Sequence, residues 1–467
     1  MRTISLKIEE KTMENKVTFY EETNFKNTEL GEIPADWEVV KLCGLIVDEM
    51  NGDWGKGVKE NPDFTECFVL RGTDFQKVAN GDFEEVPIRF LKGSSLIKRR
   101  LQDGDVLVEL SGGGEKQPTG RVLLARRNWL EKVHLPVVFS NFVKRIRISD
   151  SVCFSEYFYL YWKLLYQNKK TSLYERRTTG IRNFKYKDFV QNESIPLPPV
   201  EEQKAIAYVL SAVQEAREKT EKVIEAAKEL KKSLMKHLFT YGPVSLEEAE
   251  CINLKETEIG LIPESWEVAK LGEVASVTSG GPAPQGEEYF TGGSFPFVRV
   301  QHIDNTNSRI ERYDLITEQA VLDYGLRLFP KGTIVLPKSG ASIFLEKRAM
   351  LPVDSFIVSH LCAINSNNNN LLQVYLYYVL QQTRLAANKA DNYPTLNLSE
   401  IRQAILPLPP LPVQQRIAEI LQTVDEKIQA EEKKKQALDN LFNSMLHMLM
   451  SGKLRVKFRT GEEEESG

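Results

Sequence analysis

The strongest constraint on this chain is that its pattern is written twice. Thr28-Glu-Leu-Gly-Glu-Ile-Pro-Ala-Asp-Trp-Glu-Val-Val-Lys-Leu42 recurs as Thr257-Glu-Ile-Gly-Leu-Ile-Pro-Glu-Ser-Trp-Glu-Val-Ala-Lys-Leu271, with ten of fifteen positions identical at an offset of 229. Weaker echoes keep the same order. Val69-Leu-Arg71 answers Phe297-Val-Arg299, and Gly104–Val108 with Ser111-Gly112 answers Gly332–Leu336 with Ser339-Gly340. The aromatic stretch Tyr157–Tyr161 answers Val374–Tyr378. Each half closes on Pro-Leu-Pro-Pro, at Pro196–Pro199 and Pro407–Pro410, at an offset that has fallen to 211. The second copy is therefore shorter, mostly opposite residues 113–157, where loops tolerate deletion. Duplication on this scale predicts one supersecondary plan used twice.

Within each half, short β-branched runs bounded by Gly and Pro predict strands, as at Val106–Val108, Val137–Phe139 and Thr333–Leu336. The longer aromatic stretches Tyr157–Tyr166 and Leu371–Gln382 predict buried helices, and Trp37 and Trp266 predict packing anchors. Pro-Leu-Pro-Pro forces a rigid extended approach, because proline fixes φ and donates no hydrogen bond. Behind the first such motif, Ile206, Val213, Thr220, Ala227 and Leu234 recur every seven residues, with Val209, Ala216, Val223 and Leu230 as the paired series. That is an a/d seam on a helix that would span about 58 Å from Glu201 to Phe239. The second helix shows the seam at its ends (Ile417, Ile420, Val424; Leu438, Leu441, Met445, Met448), interrupted by Glu431-Glu-Lys-Lys-Lys435. Two matching seams in one chain predict an antiparallel pair, since the intervening globular unit returns the chain. The expected fold class is α+β: two α/β units in tandem, each followed by a long helix, the helices forming an antiparallel coiled coil.

Catalytic signatures are missing. Ser111-Gly-Gly-Gly-Glu-Lys-Gln-Pro-Thr-Gly120 is glycine-rich but lacks the Gly-Lys-Ser/Thr that cradles a triphosphate. Asn61-Pro-Asp-Phe64 and Asp391-Asn-Tyr-Pro394 only faintly resemble the adenine-methyltransferase string, and no Gly-x-Ser-x-Gly elbow occurs. The five histidines and five cysteines show no metal-ligand spacing, and His360 with Cys362 reads as a core pair. No catalytic residue, metal or bound cofactor is expected in this chain. The odd, scattered cysteines suit free thiols in a reducing cytoplasm, and no apolar run is long enough to span a membrane.

The formal charge of −4 argues against a nucleic-acid binder only until it is resolved along the chain. Residues 86–187 carry 21 Lys+Arg against 8 Asp+Glu, whereas residues 1–85 carry 10 against 19. The basic stretch, with Tyr166, Tyr174, Phe184 and Tyr186 interleaved, suits phosphate neutralisation. The competing reading is a solvated face offset by the acidic first 85 residues. Candidate DNA contacts in the first half are Arg71, Arg99, Arg100, Lys116, Gln117, Arg121, Arg176, Arg177 and Arg182. The second half is mildly acidic, 13 against 16 over residues 251–406, so its candidates rest on the duplication: Arg299, Gln301, His302, Lys338, Ser339, Arg348, Asn392 and Tyr393. Arg, Gln and Asn are the side chains that read guanine and adenine bidentately.

The doubled Gly-x-Ile-Pro-x-x-Trp (Gly31–Trp37, Gly260–Trp266) and the doubled Pro-Leu-Pro-Pro with Gln203 and Gln414 resemble the specificity (S) subunit of type I restriction-modification systems, over about residues 28–455. The resemblance implies a non-catalytic reader of double-stranded DNA. Residues 28–195 and 243–406 would be target-recognition domains, each reading half of a split site. Residues 196–242 and 407–452 would be spacer helices, leaving 1–27 as an N-terminal extension and 453–467 as a tail. It further implies two modification (methyltransferase) subunits carrying S-adenosylmethionine, gripping helices built on Ile206, Val209, Val213, Val223, Leu230, Leu234, Ile417, Ile420, Val424, Leu438, Leu441 and Met445. Restriction (motor-nuclease) subunits would bring ATP and Mg. The runner-up is a self-contained DNA-modifying enzyme, a methyltransferase or nuclease, against which the missing motifs count.

Overall fold

The computed structural model describes residues 17–112, 117–178, 181–304, 309–367, 369–386 and 395–459. It divides into two compact units, Met1–Glu221 with Lys433–Gly467, and Lys222–Glu432, so that the long helices Val200–Tyr241 and Leu411–Met450 each contribute to both.

In the first unit a hairpin (Phe25–Thr28, Gly31–Pro34) turns at Gly31, whose φ of +97° favours glycine, and covers the fully buried Trp37. Glu38–Lys41 pairs antiparallel with Ser194–Leu197, so the Pro-Leu-Pro-Pro motif returns to the start of its own half. Between these ends lies a four-stranded antiparallel sheet in the order Val122–Leu124, Val106–Glu109, Val143–Ile148, Ile46–Asn51. A three-stranded sheet sits beside it, with Val137–Phe139 parallel to Phe64–Leu70 and Ile88–Lys92 antiparallel. The helix Ser155–Gln167 buries Tyr157, Phe158 and Trp162 in the core.

The second unit repeats the hairpin, the closing strand pair and both sheets of this plan. Leu254–Thr257 pairs with Gly260–Pro263, and Glu267–Lys270 with Ile405–Leu408. The four-stranded sheet runs Ala275–Ser279, Leu361–Ser366, Ile334–Pro337, Ala349–Met350; its neighbour runs Asp314–Ile316, Phe295–Val298, Phe356–Ile357. Register repeats too: Val106 lies opposite Leu124 and Ile146, as Ile334 lies opposite Met350 and Ile364. The corner before each long helix is locked identically. The buried Gln203 amide donates to Pro198 O (2.8 Å) and accepts from Phe154 N–H (2.7 Å); Gln414 donates to Pro409 O (2.8 Å) and accepts from Leu372 N–H (2.9 Å). Tyr157 Oη donates to Pro196 O and Tyr375 Oη to Pro407 O. These bonds supply partners for buried carbonyls that proline-rich backbone leaves unpaired.

The helices run antiparallel in each unit, because partner numbers rise on one as they fall on the other. The first unit has Arg217–Asp439 and Glu221–Lys435 (each 2.5 Å) above an apolar layer of Ile206, Val209, Leu210 and Val213 with Phe442, Met445, Leu446 and Leu449. The second has Lys228–Glu432 (3.0 Å) and Lys231–Asp425 (2.8 Å), with Met235 and Leu238 sharing a core with Ile417 and Leu421. Leu438 and Leu441 in the first unit, and Leu234 and Ile420 in the second, pack at the edges of these layers.

Two sequence expectations need correcting. Val223 and Leu230 are not seam residues: they are 41% and 53% exposed. Beyond Val213 the buried positions are Thr220, Ile224, Met235 and Leu238, so the heptad holds as far as Thr220, and Val213, Ile224 and Met235 follow an eleven-residue spacing. A straight helix with 3.6 residues per turn drifts about 20° per heptad from a 3.5 repeat, and by the third heptad the seam has moved to the next residue. The charged stretch Glu431–Lys435 is likewise no interruption, since Glu432 and Lys435 meet opposite charges across the pair. The second correction concerns the ends. Val17–Glu21, within the expected extension, pairs antiparallel with Leu454–Phe458, within the expected tail. Arg455 fixes this closure: it reaches Glu202 (2.6 Å), Asp36 (2.8 Å) and Glu22, and lies over the rings of Trp37 and Tyr20. Gly452 is required here, as a Cβ would fall 2.3 Å from the Pro34 ring.

Candidate nucleic-acid interface

In both units three chain segments converge where the second strand of the four-stranded sheet ends. In the first, Leu110 N–H donates to Phe142 O and Phe184 N–H donates to Leu110 O, each at 2.8 Å. In the second, Lys338 N–H donates to His360 O (2.9 Å) and Leu396 N–H to Lys338 O (2.8 Å). Immediately after, Ser111 Oγ donates to Asn183 Oδ1 (2.5 Å), and Ser339 Oγ meets His360 Nδ1 (2.6 Å). The duplication therefore places Ser111 with Ser339 and Phe142 with His360. Phe142 is 56% exposed and His360 is exposed, so His360 is a surface group and not half of a core pair with the buried Cys362. Sequence reading missed both; the signal lay in the strand register, two residues before Lys144 and Cys362.

Beside the first junction, the hairpin Glu175–Thr178/Ile181–Phe184 pairs with Ser111–Gly112. It presents Arg176 as an exposed cation. Lys169, Lys170, Lys185 and Lys187 are exposed close by in the chain, and Lys185 N–H bonds Tyr174 O. Gln117 and Arg100 are also exposed. Arg99 is half-buried, with Nε on Asn51 O and Nη1 on Ser95 Oγ.

Several expected phosphate contacts are spent inside the protein. Arg121 bonds the buried Glu109 through both carboxylate oxygens (2.8 Å from Nε), and this pairing holds its pKa above the usual arginine value. A Cβ on Gly72 would strike that carboxylate at 2.4 Å, so Glu109 fills a slot that only glycine leaves open. Arg182 pairs with Glu175 (3.3 Å), and Arg71 forks onto the buried Asp74. Lys144, Arg145 and Arg147 pair with Glu49, Asp48 and Asp105. Two of those carboxylates come from the acidic first 85 residues. The net charge of residues 86–187 thus overstates the free positive surface, because burial demands a paired charge.

In the second unit Gln301 is exposed, and Lys338 and Ser339 are partly so. Arg299 is held by Asp314 (2.6 Å) over the rings of Phe290 and Phe297. His302 is buried, accepts Arg299 N–H on Nδ1, and has its pKa lowered by burial. Arg348 is 2% exposed, tied to Glu346 and two backbone carbonyls, and cannot reach DNA without unfolding its surroundings. Lys116, Asn392 and Tyr393 lie outside the described residues, as does the side chain of Arg177.

Comparison with known proteins agrees with this plan. Residues 97–229 and 263–440, more than half of the chain, match the family described as type I restriction modification DNA specificity domain. The chain is 29% identical over 463 residues to the type I restriction enzyme MjaIX specificity subunit of Methanocaldococcus jannaschii, covering 94% of this chain and 99% of that one. It is 26% identical over 457 residues to the MjaVIII specificity subunit of the same organism, covering 94% and 98%. The fold is similar to that of a type I restriction-modification system S subunit from M. genitalium: TM-score 0.59, 18% identity, covering 88% of this chain and 96% of that one.

Proposed function

Because the chain belongs to the type I restriction-modification DNA specificity family, we propose that each of its two units reads one half of a bipartite duplex site while the helix pair sets the spacing between halves. The chain is a non-catalytic DNA-recognition subunit that works within a complex. The observation that carries the bipartite reading is the duplicated junction: the same three-segment hydrogen-bond pattern recurs in both units with different side chains, the exposed one being Phe142 in the first and His360 in the second. Phe142 and Asn183 surround Ser111 in one, whereas His360 and Lys338 surround Ser339 in the other. One scaffold with two sets of surface groups is what two unlike half-sites require.

In this reading residues 28–195 and 243–406 are the recognition domains, and residues 196–242 and 407–452 are the spacer. Base and phosphate contacts come from Arg176, Arg100, Gln117, Gln301, Lys338, Ser339, Asn392 and Tyr393. Two modification subunits with S-adenosylmethionine methylate the site, restriction subunits with ATP and Mg translocate and cut, and the complex works in the cytoplasm. Half-sites about one DNA turn, roughly 34 Å, apart need a stiff spacer, which a paired helix supplies. Val223 and Leu230, exposed on the first long helix, give a modification subunit an apolar stripe to grip.

The test is methylation-sensitive sequencing of host DNA with the intact chain and with residues 220–226 and 430–436 deleted together. Seven residues at 1.5 Å each remove about 10 Å, or about three base pairs of spacer at about 3.4 Å per pair. The expected result is unchanged bases in both halves at a shorter separation. An unaltered spacing refutes the ruler, and methylation by the purified chain alone refutes the non-catalytic role.

A further inference from the structure

The second unit must bind duplex with little spare positive charge: residues 251–406 carry 13 Lys+Arg against 16 Asp+Glu, and Arg299 and Arg348 are already paired. What it exposes next to its junction is apolar. The loop leaving Ser339 passes through Gly340 (φ +76°) into a short 3-10 turn, Ala341–Leu345. Ile343 points inward and is 1% exposed, while Phe344 and Leu345 stand 49% and 57% exposed at the tip. Adjacent large apolar side chains in water are costly to keep, so the manner in which this tip is held matters.

It is held at both ends. Ser342 Oγ donates to Ser339 O (3.2 Å) on one side. On the other, Glu346 adopts the left-handed region (φ +46°, ψ +36°), one of two described non-glycine residues with positive φ. Its carboxylate accepts Ala386 N–H (3.0 Å) and pairs with the buried Arg348, whose guanidinium also donates to Lys347 O and Thr383 O. Lys347 in turn is buried and donates to Ile303 O (2.8 Å). A bulky residue occupies αL only when its surroundings over-determine it, and such strain gathers at working sites. Here a buried cation and a core isoleucine fix a strained turn, and the turn aims two apolar groups at solvent.

We propose that Phe344 and Leu345 form a wedge that enters a base step of the second half-site, an inference that rests on the specificity reading above. The five-residue 3-10 turn, at about 2 Å rise per residue, and the short lead through Gly340 keep the tip within roughly 15 Å of Ser339, inside one junction's footprint. Phe and Leu are the side chains that unstack base steps in this way, and the gain does not depend on phosphate neutralisation. The wedge explains how a mildly acidic domain holds duplex, and it names a substrate preference: a pyrimidine–purine step, the kind most easily unstacked, in the second half-site. Arg348 and Glu346 are positioning residues, which is why a conspicuous arginine sits buried beside the interface.

The experiment uses the full chain assembled with its modification subunits and a duplex bearing its own methylation site, with 2-aminopurine placed at successive steps of the second half-site. The intact complex raises the fluorescence at one step. Phe344→Ala/Leu345→Ala abolishes that rise and weakens cognate binding roughly five- to a hundred-fold, with nonspecific duplex affinity and thermal unfolding unchanged. Phe344→Trp restores the signal in the Leu345→Ala background. Wild-type affinity and fluorescence in the double variant overturn the wedge while leaving the specificity reading intact. Failed assembly with the modification subunits, at unchanged duplex binding, also overturns it and makes the tip a protein contact. Absence of any sequence-dependent binding by the intact complex instead strikes the specificity reading itself.

Discussion

Arg455 closes the first unit, and Arg455→Met measures by how much. Its side chain is 6% exposed and serves Glu202 (7%), Glu22 (14%) and Asp36 (53%), with Trp37 and Tyr20 beneath it. In the variant Glu22 and Asp36 can hydrate, but Glu202 keeps only the Trp37 Nε1–H bond (3.2 Å) in a dry setting. Stranding one partner of a buried pair costs about 3–5 kcal/mol, whereas replacing both with apolar groups is often neutral. The second copy of the repeat has the apolar Val413 where the first has Glu202, each directly before the buried glutamine. The readout is native-state hydrogen exchange at Leu454–Phe458, the strand bonded to Val17–Glu21. At about 1.4 kcal/mol per tenfold, Arg455→Met lowers protection there by roughly two to three and a half powers of ten. Glu202→Val/Arg455→Met recovers most of the loss. Acid behaviour follows the same bonds: the Arg455 fork holds the Asp36 carboxyl below its ordinary value of 3.8. Its stabilisation is complete above about pH 4 and disappears as pH falls through the folded value, a limb that flattens in Arg455→Met. A single variant that costs under tenfold, or a double variant that costs as much as the single, refutes the stranded-charge argument.

Three further outcomes are checkable. Arg176→Ala lowers the slope of log affinity against log salt by about 0.9 per phosphate contact without altering stability, whereas Arg121→Ala strands Glu109 and costs about 3–5 kcal/mol in urea unfolding; equal effects in both assays would show that the two cations were wrongly distinguished. Val223→Lys and Leu230→Lys each change unfolding free energy by less than about 0.5 kcal/mol, against about 2–5 kcal/mol for Ile206→Ala, so a large loss in the first pair restores the heptad seam. Asp425→Asn removes the charge that holds Lys231 (2.8 Å) and accepts the Tyr378 hydroxyl (2.9 Å), with Lys231 also 5.3 Å over the Tyr378 ring. The expected cost is about 1–3 kcal/mol at pH 7, and thermal unfolding unchanged within error would disprove the link.

What was legible in the sequence was what repeats or what is local. The duplicated Trp37/Trp266 openings, the Pro-Leu-Pro-Pro corners and the aromatic helices carry their signal within a dozen neighbouring residues, and the structure realises them in both units. Pairing over distance left no such trace. Asp48 and Arg145 are 97 positions apart, and the strand pairing that sets Val17 opposite Phe458 bridges nearly the whole sequence, so neither shows in composition or periodicity. The heptad misreading has a different origin. Three heptads accumulate about 60° of drift, more than half the step between adjacent helical residues, so a pattern correct at the buried Val209 selects the wrong neighbour by Leu230, 53% exposed. For the candidate interface the two failures compound. A run of like charges in sequence says how many cations exist, while carboxylates brought from elsewhere decide how many remain free; Glu109, Asp48, Glu49 and Asp105 withdraw four from the first unit. The surface that survives is smaller and more mixed: a few exposed cations around Arg176, with Phe142 and His360 at equivalent places that no charge count could mark. Specificity in such a surface has to come from the shape and chemistry of few groups in each unit more than from broad phosphate attraction.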